Sequence, residues 1–282
     1  MAFGCWRFRD GDLAGATTAL TAALESFGTP GARVLVDNAD VYGEHERGAA
    51  ETLLGRVLAA RPGWADEVVT ATKAGIRPGV PYDASGDHLV AACEASLRRL
   101  GVDAVDLFQL HRVDLYTPPE ETAAALAHLR ASGKIREVGV SNATVAQLDE
   151  LERHLPFPIA AVQAECSLLD RRPIFDGGLD WCRRRGAVPL AYSPLASGRL
   201  GSAGGDVPPA LTERLDALAA REGHPPTVIA LAFVLAHPAR PVPIVGTQRP
   251  ERLAELAAAT TVRLDRSDVY GLIEAAQGHE LP

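Results

Sequence analysis

An acid and a phenol stand close together in the stretch Asp37-Asn38-Ala39-Asp40-Val41-Tyr42-Gly43, directly after the apolar run Val34-Leu35-Val36. A tyrosine titrates near pH ~10 and is a poor proton donor at neutrality. It becomes a catalytic acid when a buried cation stabilises its phenolate. The chain has only two lysines, Lys73 and Lys134, against twenty-six arginines, and Lys73 closes the next apolar run, 68–73. His111 closes the one after it, 105–111. A buried ammonium needs a compensating charge, which Asp37 supplies. Lys73 would then lower the pKa of Tyr42, and His111 would donate a hydrogen bond to a substrate oxygen. Such a group protonates an oxygen as negative charge develops on it. A lysine in this place also suits a Schiff-base aldolase. Each residue has a structural alternative too: Asp37 or Asp40 as a turn cap, Tyr42 as a packed loop aromatic, His111 as a core histidine.

For these side chains to meet, the elements carrying them must be neighbours. Strand-like runs fall at 3–7, 33–37, 67–73, 105–111, 135–142, 159–163, 187–192 and 243–246. Helical spacing follows each: 11–27, 45–60, 86–100, 118–132, 144–154, 171–185, then 210–222 with 226–236, and 249–258 with 266–276. Thr144 or Asn142 is the expected cap of the fifth helix, and a Gly/Ser/Pro-rich loop covers 193–209. Eight strand–helix units without a linker predict a single (β/α)8 TIM barrel over residues 1–282, in the α/β class. The alternative is an open doubly wound sheet, but no Gly-x-Gly-x-x-Gly follows the first strand. In a barrel the chemistry lies at the C-terminal strand ends. Those ends carry Asp37, Lys73, His111, Ser141-Asn142, Gln163, Tyr192 and Gly246.

Composition narrows the function classes. A net charge of −8 spread along 282 residues argues against nucleic-acid binding. No run of eighteen apolar residues suggests a membrane span, and the N-terminus lacks the pattern of a signal peptide. Cys5, Cys93, Cys166 and Cys182 lie far apart without metal spacing, which suits a reducing cytoplasm and no metal site. A cytoplasmic protein without membrane or nucleic-acid partners is expected.

The chain resembles an aldo-keto reductase over nearly its full length, with the flavour of bacterial predicted oxidoreductases. The matching pieces are Asp37-x-Ala39-x-x-Tyr42-Gly43, Thr72-Lys73, Leu110-His111-Arg112, Gly133-Lys134-Ile135-Arg136 with Gly139-Val140-Ser141-Asn142, Gln163, Tyr192-Ser193-Pro194-Leu195, and Val245-Gly246-Thr247 with Arg252. The resemblance implies NAD(P)H-dependent reduction of a small aldehyde or ketone, with Tyr42 as general acid, Lys73 and Asp37 tuning it, and His111 orienting the carbonyl. It implies NADP(H) as cofactor, with NAD(H) as the alternative. Ser141, Asn142 and Gln163 would take the carboxamide and Tyr192 would stack on the nicotinamide. Ser193, Leu195 and Gly198 would cover the pyrophosphate, and Gly246, Thr247, Arg252 and Glu255 would serve the adenosine end. Gly246 stands where many members have a phosphate-binding lysine, and Leu256 where an asparagine is usual; both weaken the preference for NADPH. The N-terminal hairpin that commonly plugs the barrel is not apparent, which leaves a monomer or a weak homo-oligomer open. The loop after His111 and the tail after Gly278 are short, so an open pocket walled by Trp6, Phe8 and Tyr42 is expected. An NADP(H)-binding regulatory or redox-sensing protein with negligible turnover has the same residues.

Overall fold

The computed structural model describes residues 1–201 and 206–282. Eight parallel strands close into a barrel: β1 (Ala2–Gly4), β2 (Val34–Asp37), β3 (Val68–Ala74), β6 (Val105–Leu110), β7 (Ile135–Ser141), β8 (Ala161–Glu165), β9 (Val188–Tyr192) and β10 (Val242–Val245), with β1 pairing both β2 and β10. Around it run α1 (Leu13–Phe27), α2 (Ala49–Ala60), α3 (Gly86–Leu100), α4 (Pro119–Ala131), α5 (Val145–His154), α6 (Arg172–Phe175), α7 (Gly178–Arg185), α8 (Pro209–Glu222), α9 (Pro226–Leu235), α10 (Pro250–Ala257) and α11 (Arg266–Gln277). The open doubly wound sheet is therefore excluded.

Side chains alternate across each strand, so every barrel strand has an inward and an outward set. The inward set below the strand ends is small and apolar: Ala2, Ala71, Leu107, Ala161, Leu190 and Ile244 pack on one another. The outward set joins the helices in the larger core, which includes Phe108, Leu126 and Trp181. Parallel strands buried on both faces need this near-continuous apolar character. Polar residues follow at the top of most strands, where the inner core stops.

Thr144 is the cap of α5, with the reciprocal Gln147 contact of a capping box. Four local differences from the sequence pattern have identifiable causes. β1 ends at Gly4 and does not reach Arg7, because the chain turns there, the Phe8 amide donating to the Cys5 carbonyl at 2.9 Å. The expected helix start at 45 is a turn instead. The amides of Glu44, His45 and Glu46 donate to the Asp10 carboxylate at 3.0, 2.8 and 3.1 Å, and α2 begins only after Gly48. The helix expected over 171–185 is split into α6 and α7 at Gly177, whose φ of 86° no helix accommodates. A small hairpin, β4 (Ile76–Arg77) with β5 (Val80–Tyr82), rises from the top of β3 and was not expected.

No helix among the described residues is long and apolar enough to cross a membrane, and no cluster among them could hold a metal ion.

Candidate active site

The register of β2 against β3 sets Asp37 beside Ala71, so Lys73 stands two residues higher on the neighbouring strand, facing the same interior. Its Nζ lies 2.7 Å from both Asp37 carboxylate oxygens and 2.7 Å from the Asn38 carbonyl. Both side chains are almost wholly buried, at 1% and 5% exposure. Taking two ions out of water costs several kcal/mol apiece unless their remaining valences are met. Here they are met: Asp37 Oδ1 also accepts from the amides of Gln163 at 2.9 Å and Gln109 at 3.3 Å. Burial alone would pull the Lys73 pKa down, but Asp37 and Tyr42 together outweigh it and raise it above the ordinary value. The ammonium is a fixed charge.

Tyr42 lies over that charge, with Nζ 5.0 Å from its ring centroid. Burial raises the phenol pKa, and the opposing pull of Lys73 offsets only part of the rise. This corrects the expectation that the lysine would bring Tyr42 below its usual range: desolvation in the closed barrel weighs more. At neutral pH the phenol keeps its proton. His111 meets Tyr42 edge to face, ring centroids 6.0 Å apart. Burial first, then the cations Lys73, Arg112 and Arg47, lower its pKa to about 3. The imidazole is thus neutral, with one donor and one acceptor nitrogen, and its buried Nδ1 has no hydrogen-bond partner among the described residues.

A cleft of about 500 Å³ opens over these groups. Asp37, Tyr42 and His111 form its floor with Ser141, Asn142 and Gln163, and Lys73 lies buried beneath. Tyr192, Ser193, Leu195 and Gly198 form one side, and Gly246, Thr247 and Arg252 the far end. Asn142 has a left-handed backbone (φ 58°), which turns its side chain so that Oδ1 accepts from the Tyr192 hydroxyl at 2.8 Å. Ser193, Ala196 and Ser197 are also left-handed, at 48°, 52° and 58°, and Gly198 follows at 101°. Three non-glycine residues in that region within five positions store backbone strain. The result is a kinked segment, Ala196–Gly201, whose helical turns are broken at Ser197 and Gly198 beside the cleft.

Against this geometry, the sequence matches the profile of the aldo/keto reductase family over residues 1–276. The chain belongs to the aldo/keto reductase family. It is 41% identical to 6-dehydroglucose reductase of Novosphingobium aromaticivorans, covering all of this chain and 93% of that one. It is 34% identical to 6-dehydroglucose reductase of Agrobacterium fabrum, covering 99% and 94%. Among solved structures it superposes on the aldo/keto reductase from Klebsiella pneumoniae in complex with NADP and acetate, with a TM-score of 0.80 and 28% identity, over 98% of this chain and 90% of that one.

Two residues assigned to the site from sequence lie elsewhere in this aldo-keto reductase. Phe8 is buried in the core, its ring 5.9 Å from Phe3, and does not wall the cleft; the turn at Cys5 points it inward while Trp6, 61% exposed, reaches the cleft. Glu255 is exposed and accepts from Thr227 of α9 at 3.4 Å; α10 presents Arg252 and Leu256 to the cleft instead.

The structure also adds residues. Gln109 is fully buried beneath Asp37, and the period-2 alternation that puts His111 inward marks Gln109 as inward too, a signal legible in the sequence. Glu51 was not legible. It is fully buried on α2 and bridges Thr72 of β3 and Arg99 of α3, the latter at 2.7 Å. A charged residue in a helix reads as solvated until a partner on another helix is seen.

Asp40 completes the surroundings. Burial, and then Glu51, push its pKa to about 7 against the opposing pull of Arg47, Arg99 and Lys73, and its buried Oδ1 has no partner among the described residues. In the unfolded chain it titrates near pH ~4. Between these values the folded state binds more protons, so stability falls as pH rises through that window. Asp40→Asn removes the penalty. It is expected to stabilise the protein by about 2–4 kcal/mol at pH ~8, and progressively less down to pH ~4. Thermal melts of both proteins across that range check this; a gain independent of pH would refute it.

Proposed function

We propose that the protein reduces an aldehyde or ketone to an alcohol with NADP(H), Tyr42 acting as the general acid. The observation that carries this reading is a phenol held protonated by burial, set over a fixed ammonium and beside a neutral imidazole at the floor of one cleft. The residues fit a nicotinamide dinucleotide. Ser141, Asn142 and Gln163 offer amide and hydroxyl groups suited to its carboxamide, and Tyr192 offers a ring for stacking. The turn at Ser193–Gly198 suits close backbone approach to a pyrophosphate, and Arg252 offers a guanidinium for phosphate. When bound, the nicotinamide supplies the hydride to the carbonyl carbon.

The protein's own groups then handle the oxygen. Tyr42 donates its proton to that oxygen as negative charge develops there. Lys73 stabilises the phenolate left behind, and Asp37 with the Asn38 carbonyl keeps the ammonium in place. His111, being neutral, donates one ring N–H to the same oxygen without competing for the proton. Because its pKa is near 3, no ionisation of His111 should appear in the pH–rate profile between about pH 5 and 8.

The two relatives named 6-dehydroglucose reductase favour an aldehyde on a polyhydroxylated carbon chain as substrate. The exposed indole of Trp6 and the polar side chains of Arg112 and Glu165, all lining the cleft, suit such a molecule. A Schiff-base aldolase is disfavoured, since it needs a neutral amine and the Lys73 pKa is raised. The test is oxidation of NADPH and of NADH with a panel of aliphatic, aromatic and sugar aldehydes and simple ketones. Turnover, highest with sugar aldehydes, is expected. Tight NADP⁺ binding without turnover on any carbonyl would replace this reading with that of a cofactor-sensing protein.

A further inference from the structure

The Asp10 carboxylate does more than delay the start of α2. Placed on the loop between β1 and α1, it is the one acceptor among the described residues for three successive amides, those of Glu44, His45 and Glu46. Successive backbone N–H groups at a turn form a concavity that binds an anion, and here a side chain from another loop fills it. Glu44 first and then His45 hold the Asp10 carboxyl below its usual pKa, even though water reaches it. Both sides of this clasp are anchored. Phe8 is buried in the core and Asp12 caps α1, accepting from the Gly15 amide at 2.8 Å, so Asp10 stands between two fixed points. The turn it holds is tight: a Cβ on Gly43 would come within 1.9 Å of the Glu46 carbonyl oxygen. From that turn Arg47 reaches on, its Nη2 donating to the Ile76 carbonyl of β4 at 2.8 Å.

Three consecutive loops at the top of the barrel are thereby tied in series, and each carries part of one wall. Trp6 belongs to the first, Val41 and Tyr42 to the second and Ile76 to the third, and all four line the cleft. The lining residues suited to the dinucleotide come from other segments, 141–142, 163, 192–198 and 246–252. Tyr42 is also held independently of Asp10, its amide donating to the Ala39 carbonyl at 3.1 Å and its carbonyl accepting from the Ala50 amide at 3.2 Å. We infer that Asp10 is a positioning residue for the proposed reaction: by clasping residues 44–46 it fixes the distance between Trp6 and the Val41–Tyr42 edge, and so sets how tightly the carbonyl substrate is held. The inference rests on the reductase reading above and extends it to a side chain that does not itself line the cleft.

Steady-state kinetics with saturating NADPH and with glyceraldehyde or benzaldehyde test this on the wild type, Asp10→Asn and Asp10→Ala. Asp10→Ala should raise KM about tenfold, as for loss of a charge-assisted hydrogen-bonded group that water partly replaces. Both kcat and the NADP⁺ dissociation constant should stay within about twofold, because the proton donor and the dinucleotide segments are held by other contacts. Asp10→Asn keeps the shape but offers one oxygen to three donors, with its own N–H₂ facing an amide, so KM should rise about three- to fivefold. Formate has the size and charge of the group deleted in Asp10→Ala. Replacing chloride by formate at constant ionic strength should bring that variant's KM within about twofold of the wild type in the same buffer, whereas neutral formamide should not. A merely structural role would lower Tm without this split or this rescue. An unchanged KM in both variants overturns the inference, as does a rise that formate leaves in place. A wild type inactive on both substrates and on the rest of the panel removes the reductase reading, and the positioning role with it.

Discussion

Tyr42→Phe is expected to lower kcat for carbonyl reduction by about 10²–10⁴-fold, the range a positioned general acid contributes. The substitution removes one oxygen and keeps the ring, so the edge-to-face contact with His111 at 6.0 Å and the ring's position over Lys73 persist. The cleft keeps its shape. NADP⁺ affinity should therefore stay within about twofold, because in the proposed mechanism the phenol hydroxyl serves the reacting oxygen and not the dinucleotide. Steady-state kinetics beside a binding titration separate the two quantities. A variant retaining more than a tenth of wild-type kcat would remove Tyr42 as the acid and leave His111 as the nearest proton donor.

Lys73→Met should be the most damaging single change to stability. It leaves Asp37 buried without its counter-charge, an arrangement that costs about 3–5 kcal/mol. For a chain of this size that corresponds to a fall in Tm of roughly 6–15 °C. Asp37 in the variant can escape the penalty by taking up a proton, so its stability should improve as pH falls, opposite to the behaviour of a group held ionised by a partner. Adding Asp37→Asn removes the stranded charge and is expected to recover most of the lost Tm. If the double variant melts no higher than Lys73→Met alone, the pair is not the electrostatic unit described here.

These expectations rest on one property of the barrel. Neighbouring parallel strands bring residues far apart in sequence to one end: Asp37, Lys73 and Gln163 come from β2, β3 and β8, yet their polar atoms meet within 3 Å. The strand–helix alternation announced that end, since almost every apolar run closes on a polar residue. Which of those residues touch depends on register and on the inward or outward phase of each strand. Gln109 illustrates the first kind of information and Glu51 the second. The former follows from counting by twos back from His111; the latter depends on α2 and α3 packing closely enough for Arg99 to reach it.

Local chemistry misplaced two site residues for the same reason. Phe8 and Glu255 sit near residues that do line the cleft, but a turn at Cys5 and the pitch of α10 direct them elsewhere. Sequence proximity carries no information on side-chain direction once a strand has ended or a helix has turned. The balance of effects on Tyr42 was hidden in the same way. A cation nearby was legible, but the extent of desolvation was not, and desolvation decides the sign.

By itself, then, the sequence determined the barrel, the order of its strands and the polar residues at their tips, because hydrophobic periodicity and turn chemistry are local properties. Only the tertiary structure decided that Asp37 and Lys73 form a saturated buried pair, that Tyr42 keeps its proton and His111 stays neutral, and that arginines from the loop after β1 and from the start of α10 line one hollow. Those outcomes depend on distance and on exclusion of water, and both exist only once the strands have closed.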